Sequence, residues 1–306
     1  MLKQIDKLYA KLPHTNVVNS SVRFGVRVMA NYWVRYLMPI KEKCCEIKED
    51  TIIVSLTTYP ARIKTVWMTI ACLLNQDYEN MRVVLWLSKE QFHDRTNLPS
   101  KLQKLQKKGL IIKFKKDDLR SHKKYYYAFS EYPRNVVVTV DDDILYHPHL
   151  ISALVESHLQ HPTDIVCSRA VNIDKRNKYS LWSRSHATIS SWKILPTGIG
   201  GVLYPPNSLD DRLFDVDAIK QTCINGDDLW LNFMCRLKGT KVTKTAFKTG
   251  LITILSSQDT ALCNTNCGEN KNDQQIDAIS QWANTRMNID FFYQVEEDEN
   301  RVTKNH

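Results

Sequence analysis

The sequence predicts an α/β fold: a mostly parallel central sheet flanked by helices, preceded by an N-terminal helical extension. Three observations carry this expectation. From residue 51, short β-rich runs alternate with helical segments three times over, and strand, helix, strand in repetition means parallel pairing with crossover helices. The run VVVTV at 136–140 consists of β-branched residues throughout, so alternation cannot place it on a surface, as expected of a buried parallel strand. With hydrophobic residues at 43% and charged residues at 25% of 306 positions, the chain can bury a sizeable core as one large domain or two small ones.

The elements follow in chain order. Met1 to Lys11 is polar with spaced apolar residues, so no signal peptide is expected. Val22 to Ile40 is interrupted by Arg23, Arg27 and Arg35 and falls short of the ~18 uninterrupted apolar residues of a membrane span. There Phe24, Val28, Tyr32 and Tyr36, with Val26, Trp33 and Leu37, make a wide apolar helical surface, suited either to an anionic membrane face or to packing on the core. From residue 51 come the strand TIIVSL, a helix from Val66 to Asn75, the strand MRVVLWL, a helix from Leu98 to Lys108, the strand LIIKF, a helix from Lys123 to Ser130, and VVVTV. In such sheets ligands bind at the carboxyl ends of strands, here after Leu56, Leu87, Phe114 and Val140. Beyond lie a helix from Pro148 to Leu159, the strand DIVCSRAV, an irregular stretch from Asp174 to Trp192, the loop and strand PTGIGGVLYPP, a helix from Asp227 to Leu237, and a strand-like GLITILSS. The last fifty residues are polar and end in a frayed tail. The expected division is a helical extension over 1–50, two halves of one domain over 51–145 and 146–290, and a flexible tail over 291–306.

Lys and Arg (42) outnumber Asp and Glu (33), a balance that attracts phosphates, nucleotides, nucleic acid or an anionic membrane without choosing among them. The basic residues are dispersed and no nucleic-acid-binding motif appears, so a nucleic-acid partner is not expected. Eight scattered cysteines, several in apolar segments, read as reduced thiols in the cytoplasm. Cys263 and Cys267 have half the spacing of a zinc site, but no second pair matches them.

Against this basic background, VVVTVDDDILYHP sets Asp141, Asp142 and Asp143 at the carboxyl end of a buried strand. Like charges so close raise one another's pKa unless a cation compensates, and Mg²⁺ or Mn²⁺ with water and phosphate ligands is the simplest compensator. Along an extended segment Asp141 and Asp143 face one way and Asp142 the other. A solvated turn or a cap for the next helix is the plainer reading. His147 and His149, flanking Pro148, read as a solvated turn.

With these residues the chain, from Thr51 to Asp277, resembles the GT-A glycosyltransferases, a Rossmann-like fold in which a DXD motif after a hydrophobic strand holds a metal-bound nucleotide diphosphate sugar. The likeness is to bacterial surface-polysaccharide (capsule and lipopolysaccharide) transferases, and secondarily to exostosin-like transferases with three aspartates and a later DD pair. It implies that Asp143 and Asp141 bind the metal, and that Asp141 and Asp142 meet the donor. IVSLTTYPARIKTVWMTIACLLNQ offers hydroxyls, a ring and a cation, and the resemblance puts Thr57, Thr58, Tyr59 and Arg62 around base and ribose. In DDLRSHKKYYYAFSEYP, Arg120, Lys123 and Lys124 bring cations to a helix start, suited to donor pyrophosphate. Of its three tyrosines at least one is expected in the core.

PTGIGGVLYPP clusters Gly198, Gly200 and Gly201, which permits close backbone approach, and the resemblance sets Gly200 and Gly201 beside the donor sugar. It lacks the Lys-Ser/Thr of a phosphate-binding P-loop. In INGDDLWLNFM, one carboxylate can cap the helix while the other faces the acceptor, with Asp228 as general base and Asp227 as cap or second choice. CGENKNDQQIDAI resembles a segment closing over the donor, with Asn272 and Asp273 its functional positions. The metal-binding histidine common in the family's C-terminal region is missing between His186 and His306.

The resemblance thus implies a metal-dependent transfer, with Mn²⁺ or Mg²⁺, from a UDP-sugar to a glycan or lipid-linked glycan. The protein would be cytoplasmic, with peripheral contact at the inner membrane open through the N-terminal helix. A nucleotidyltransferase acting on sugar phosphates, or a non-catalytic basic module binding membrane or nucleic acid, are the alternatives. An aspartyl phosphohydrolase is disfavoured by Leu145.

Overall fold

The computed structural model describes residues 1–13, 17–44, 46–92, 98–186, 188–256 and 270–295. Its strands are β1 (Ile52–Thr57), β2 (Met81–Ser88), β3 (Leu110–Lys115), β4 (Val137–Thr139), β5 (Ile144–Leu145), β6 (Ile165–Cys167), β7 (Ala170–Asn172), β8 (Ile194–Pro196), β9 (Val202–Tyr204), β10 (Val242–Lys244) and β11 (Ile252–Thr253). Seven of them form the central sheet, in the order β10-β6-β9-β4-β1-β2-β3. Neighbours run parallel except around β9, which is antiparallel to both β4 and β6. Every residue of β2 is buried, as in a parallel strand covered on both faces.

The helices are α1 (Leu2–Lys11), α2 (Val17–Tyr32), α3 (Val66–Leu74), α4 (Ser100–Gln106), α5 (Lys123–Glu131), α6 (Leu150–Gln160), α7 (Val216–Thr222), α8 (Asp227–Lys238) and α9 (Lys271–Met287). α2 runs on into a π-helical turn, Trp33–Leu37. α3 is buried along its whole length because it lies between the sheet and this turn, which explains a sequence apolar all round. The N-terminal extension therefore packs on the core, through Arg23, Val26, Ala30, Asn31 and Val34, while its other side is exposed and apolar.

The three strand–helix repeats occur where the sequence predicts them. DIVCSRAV does not form one strand: the chain turns at Ser168 and Arg169, against which Gly200 packs, and β6 and β7 join different sheets. GLITILSS contributes only the two residues of β11, paired with β5. The polar C-terminal region holds a long helix, α9, which buries Gln275, Ile276, Ile279, Trp282 and Ala283. Of the expected tail over 291–306, Phe291 and Val295 are buried, Phe291 stacking on Phe233 with its carbonyl held by Arg236, and 296–306 lie outside the described residues. Cys44, Cys72, Cys167, Cys223 and Cys235 are free thiols, and Cys45, Cys263 and Cys267 lie outside the described residues.

Candidate active site

Parallel pairing of β1 with β4 brings two strand ends side by side, so the loop from Thr57 meets the three aspartates. Asp142 points inward. Arg62 Nη1 donates to its Oδ1 at 2.6 Å, Thr58 Oγ1 donates to its Oδ2 at 2.5 Å, and Thr69 of α3 donates to its backbone carbonyl at 3.0 Å. Burial raises the Asp142 pKa, with Arg62 and Thr58 opposing. The same guanidinium reaches Asp143, with Nη2 3.2 Å from Oδ2. Asp143 is pushed up to about 7, first by burial and then by Asp141, with Arg62 pulling the other way.

On the other side, α5 starts beneath β1 and directs Lys124 into the site. Its ammonium lies 2.8 Å from Asp141 Oδ1 and 2.8 Å from Asp227 Oδ2. The first contact is a directed hydrogen bond; the second is chiefly an ion pair, since Asp227 Oδ2 lacks a well-directed donor. Burial would lower the Lys124 pKa, but Asp141, Asp227 and Asp228 together hold it well above its ordinary range. Burial would raise Asp227, and Lys124 with His122 outweighs it and lowers the pKa. Asp228 follows the opposite course. Burial and the adjacent Asp227 push it up to about 7, although Lys124 and the Gly198 N–H, which donates to its Oδ2 at 2.9 Å, favour the carboxylate. Two neighbouring carboxyls are thus driven apart, one held ionised and one poised to exchange a proton near neutrality.

A sequence model of "Glycosyl transferase family 2" matches residues 53–214, more than half of the 306. The chain belongs to this family. Its mostly parallel seven-stranded sheet is the GT-A fold, and residues 53–214 carry a glycosyltransferase family 2 domain. Among solved structures, TarS 1-349 of S. aureus is similar at 15% identity and TM-score 0.42, over 65% of this chain and 59% of that one. TarS 1-349 in complex with UDP-GlcNAc aligns at 14% identity and TM-score 0.43, over 65% and 57%. The mannosyltransferase PcManGT of Pyrobaculum calidifontis, in complex with GDP-Man and Mn²⁺, aligns at 14% identity and TM-score 0.37, over 80% and 66%. The chain thus spans less than two thirds of the length of each of these three. No curated protein matches it.

In this family 2 transferase the predicted residues divide into groups. Asp141, Lys124, Asp227 and Asp228 come together, as do Arg62, Asp142 and Asp143. Thr57 Oγ1 donates to the Trp86 carbonyl at 2.9 Å, and the Tyr59 ring lies 5.5 Å from the Arg62 guanidinium. Lys123 is fully buried in an ion pair with Asp118, so it does not face the carboxylate cluster. Arg120 is exposed and donates to Asn225, next to the DD pair. Asp227 is not a helix cap: it is the first residue of α8, the N-cap position is Gly226, no side chain caps the helix, and the Asp227 carboxylate pairs with Lys124.

The glycine expectation shifts by two residues. A Cβ on Gly200 would stand 2.7 Å from Ser168 Oγ and Arg169 Cβ, and one on Gly201, whose φ is +83°, would meet Leu150, Leu154 and Val140. Both serve the packing of the turn. Gly198 is the one at the site, where a Cβ would stand 3.0 Å from Asp228 Oδ1 and Lys124 Nζ. Asp273 accepts from the Tyr179 N–H at 2.8 Å, and residues 267–269 of its segment lie outside the described residues. His147 is buried rather than solvated, and burial beside Lys3 and His149 lowers its pKa to about 4; His149 pairs with Asp77 at 2.8 Å. Tyr125 and Tyr127 are core residues. Sequence reasoning missed Tyr146, whose hydroxyl accepts the Asp141 N–H at 2.8 Å; nothing in its spacing marks it.

Among the described residues no group of three or more His, Cys, Asp or Glu side chains forms a metal cage. The segment after β4 instead offers two partly buried carboxylates, Asp141 and Asp143. Each has one oxygen against a cation, Lys124 for Asp141 and Arg62 for Asp143, and such hard donors fit a divalent cation completed by phosphate oxygens and water. Asp142 does not fit, since both its oxygens are already engaged.

Proposed function

We propose that this glycosyltransferase moves a sugar from a UDP-linked donor to a hydroxyl of a glycan or lipid-linked glycan acceptor in surface polysaccharide biosynthesis, with Mn²⁺ or Mg²⁺ held by Asp143 and Asp141. The reading is supported above all by one observation: Lys124 draws together the carboxylates of two separate segments, Asp141 after β4 and Asp227 at the start of α8. The first belongs where a donor diphosphate would sit and the second where an acceptor would enter. Tyr59 and Thr57 serve the nucleoside, and Arg120 the diphosphate. Asp142 acts through Arg62 as a positioning residue. The Gly198 N–H holds one oxygen of Asp228 and leaves the other for the acceptor hydroxyl.

Asp228 then takes the hydroxyl proton as the acceptor oxygen bonds to the anomeric carbon, and the bond to the diphosphate breaks with its electron pair. A carboxyl of pKa about 7 is matched to that exchange, which favours inversion at the anomeric centre. When bound, the metal supplies charge neutralisation for the departing diphosphate. The test is a screen of nucleotide sugars for Mn²⁺-dependent release of the nucleoside diphosphate, with Asp143→Asn alongside. Donor turnover lost in the variant is expected; full activity would remove the metal role.

A further inference from the structure

α2 and the turn after it bury Arg23 and Asn31 together with Val26, Ala30 and Val34. Their opposite side leaves Val18, Val22, Phe24, Met29, Tyr32 and Tyr36 exposed, Val18 at 69% and Tyr36 at 64%. At helical spacing these six fall within one half of the circumference, which they share with the small residues Ser21 and Gly25 and, toward the Phe24 edge, with Arg35. Of the fourteen large hydrophobic side chains exposed among the described residues, eleven lie in the first 37 positions. A surface helix ordinarily turns such a face to the core, and here the core is already satisfied by the opposite one.

The surrounding charge identifies the occupant. Residues 1–41 hold seven Lys and Arg against a single acidic residue, Asp6, which is buried and engaged with Gly250 and Thr249. Between positions 12 and 40 there is no acidic residue. Where Tyr36 and Leu37 end the apolar face, Arg35 stands near the exposed Lys101, close enough with Lys104 to depress its pKa after burial has done so. No helix of the described residues is long and apolar enough to cross a membrane.

We propose that the outer face of residues 17–37, flanked by Arg35, Lys101 and Lys104, docks the protein on an anionic lipid bilayer. Apolar side chains enter the headgroup boundary, and the cations meet lipid phosphates. The inference goes beyond the transfer reaction, and its test uses no donor, so neither reading stands or falls with the other.

The full chain is floated with vesicles of phosphatidylcholine and of an equimolar phosphatidylcholine–phosphatidylglycerol mixture, at low and high salt. Wild type is expected with the anionic vesicles, weakened by salt. Val22→Glu/Tyr36→Glu is expected to reduce the bound fraction ~10-fold or more, and Arg35→Gln/Lys101→Gln to reduce it less and flatten the salt response. The melting temperature of each variant verifies folding, and the second pair leaves the apolar face intact should the first not fold. Equal flotation with both vesicle types, no flotation of wild type, or a wild-type dimer in sedimentation that the glutamates dissociate would overturn the proposal.

Discussion

Replacing Lys124 by methionine removes the cation shared by the carboxylates on both sides of the site while keeping the volume of its stem. With separations of 2.8 Å to Asp141 and Asp227, each pair has a gross attraction of roughly 6 kcal/mol at an effective dielectric constant of about 20, offset by several kcal/mol of desolvation per ion. Breaking such a network from one side costs about 3–5 kcal/mol, because the remaining charges stay buried. The variant can escape by protonating a carboxyl, and that escape sets a ceiling. Lifting a carboxyl from near 4 to above the ambient pH costs about 1.4 kcal/mol per unit, so roughly 5 kcal/mol at pH 7.5 and under about 2 at pH 5.

The sign follows from the wild-type groups. Lys124, held above its ordinary range, keeps its contribution throughout this window, and Asp227, held below its own, loses its contribution only as the pH falls through that lowered value. Urea unfolding at pH 7.5 and pH 5 should therefore show a loss of ~3–5 kcal/mol in the variant at the higher pH and less than half of that at the lower. In a melting experiment near neutrality this is a fall of roughly 5–8 °C. A loss below about 1 kcal/mol at pH 7.5, or one that is the same at both pH values, would show that Lys124 does not hold these buried charges together.

Two further predictions concern the chemistry. With Asp228 as general base, kcat/KM should rise as the pH climbs through about 7, where the group loses its proton, and Asp228→Asn should lower kcat by ~10²–10⁴-fold with little change in melting temperature; a flat wild-type profile with an active Asn variant would assign the base elsewhere. Gly198→Ala should lower kcat by roughly 10-fold or more, its Cβ displacing Asp228 and Lys124, whereas Gly200→Ala should instead cost ~1–3 kcal/mol of stability against Ser168 and Arg169; the reverse pattern in paired rate and melting measurements would return the site role to Gly200.

The parts of the fold that could be read from sequence are those whose pattern has one physical solution. A run such as VVVTV or MRVVLWL can only be buried on both faces, and its alternation with helices leaves parallel pairing as the outcome. α9 escaped because its stripe of Ile276, Ile279 and Trp282 is diluted by Asn, Asp and Gln, and it closes on a core that other segments supply. At the site, residue type and strand end were enough to gather the aspartates, but not to divide their roles. That Asp142 turns inward to Arg62 while Asp141 turns to Lys124 depends on which neighbours the sheet order delivers, β1 on one side and α5 on the other. Likewise the glycine that meets the carboxylates is decided by the packing of Ser168 and Arg169 against Gly200, a contact just over thirty positions apart in sequence.

The polar residues hidden beneath α2 tie the extension to the site. Asn31 donates to the Thr253 carbonyl at 3.1 Å and accepts from the Leu255 N–H at 3.1 Å, while Arg27 reaches the Thr253 hydroxyl at 3.3 Å. Between those two anchored residues, the Ile254 N–H donates to the Asp143 carbonyl at 2.8 Å. On the far side of the aspartates, Thr69 of α3 holds the Asp142 carbonyl, and α3 is itself covered by the π-helical turn. The backbone that presents Asp142 and Asp143 is therefore braced from both sides by elements resting on the N-terminal extension. Orphaned backbone groups in such a buried setting cost about 1–3 kcal/mol each, so the polar residues of α2 belong on its inner face. With its hydrogen-bonding side turned toward the metal-proposed loop, the apolar side of the helix is left to face outward.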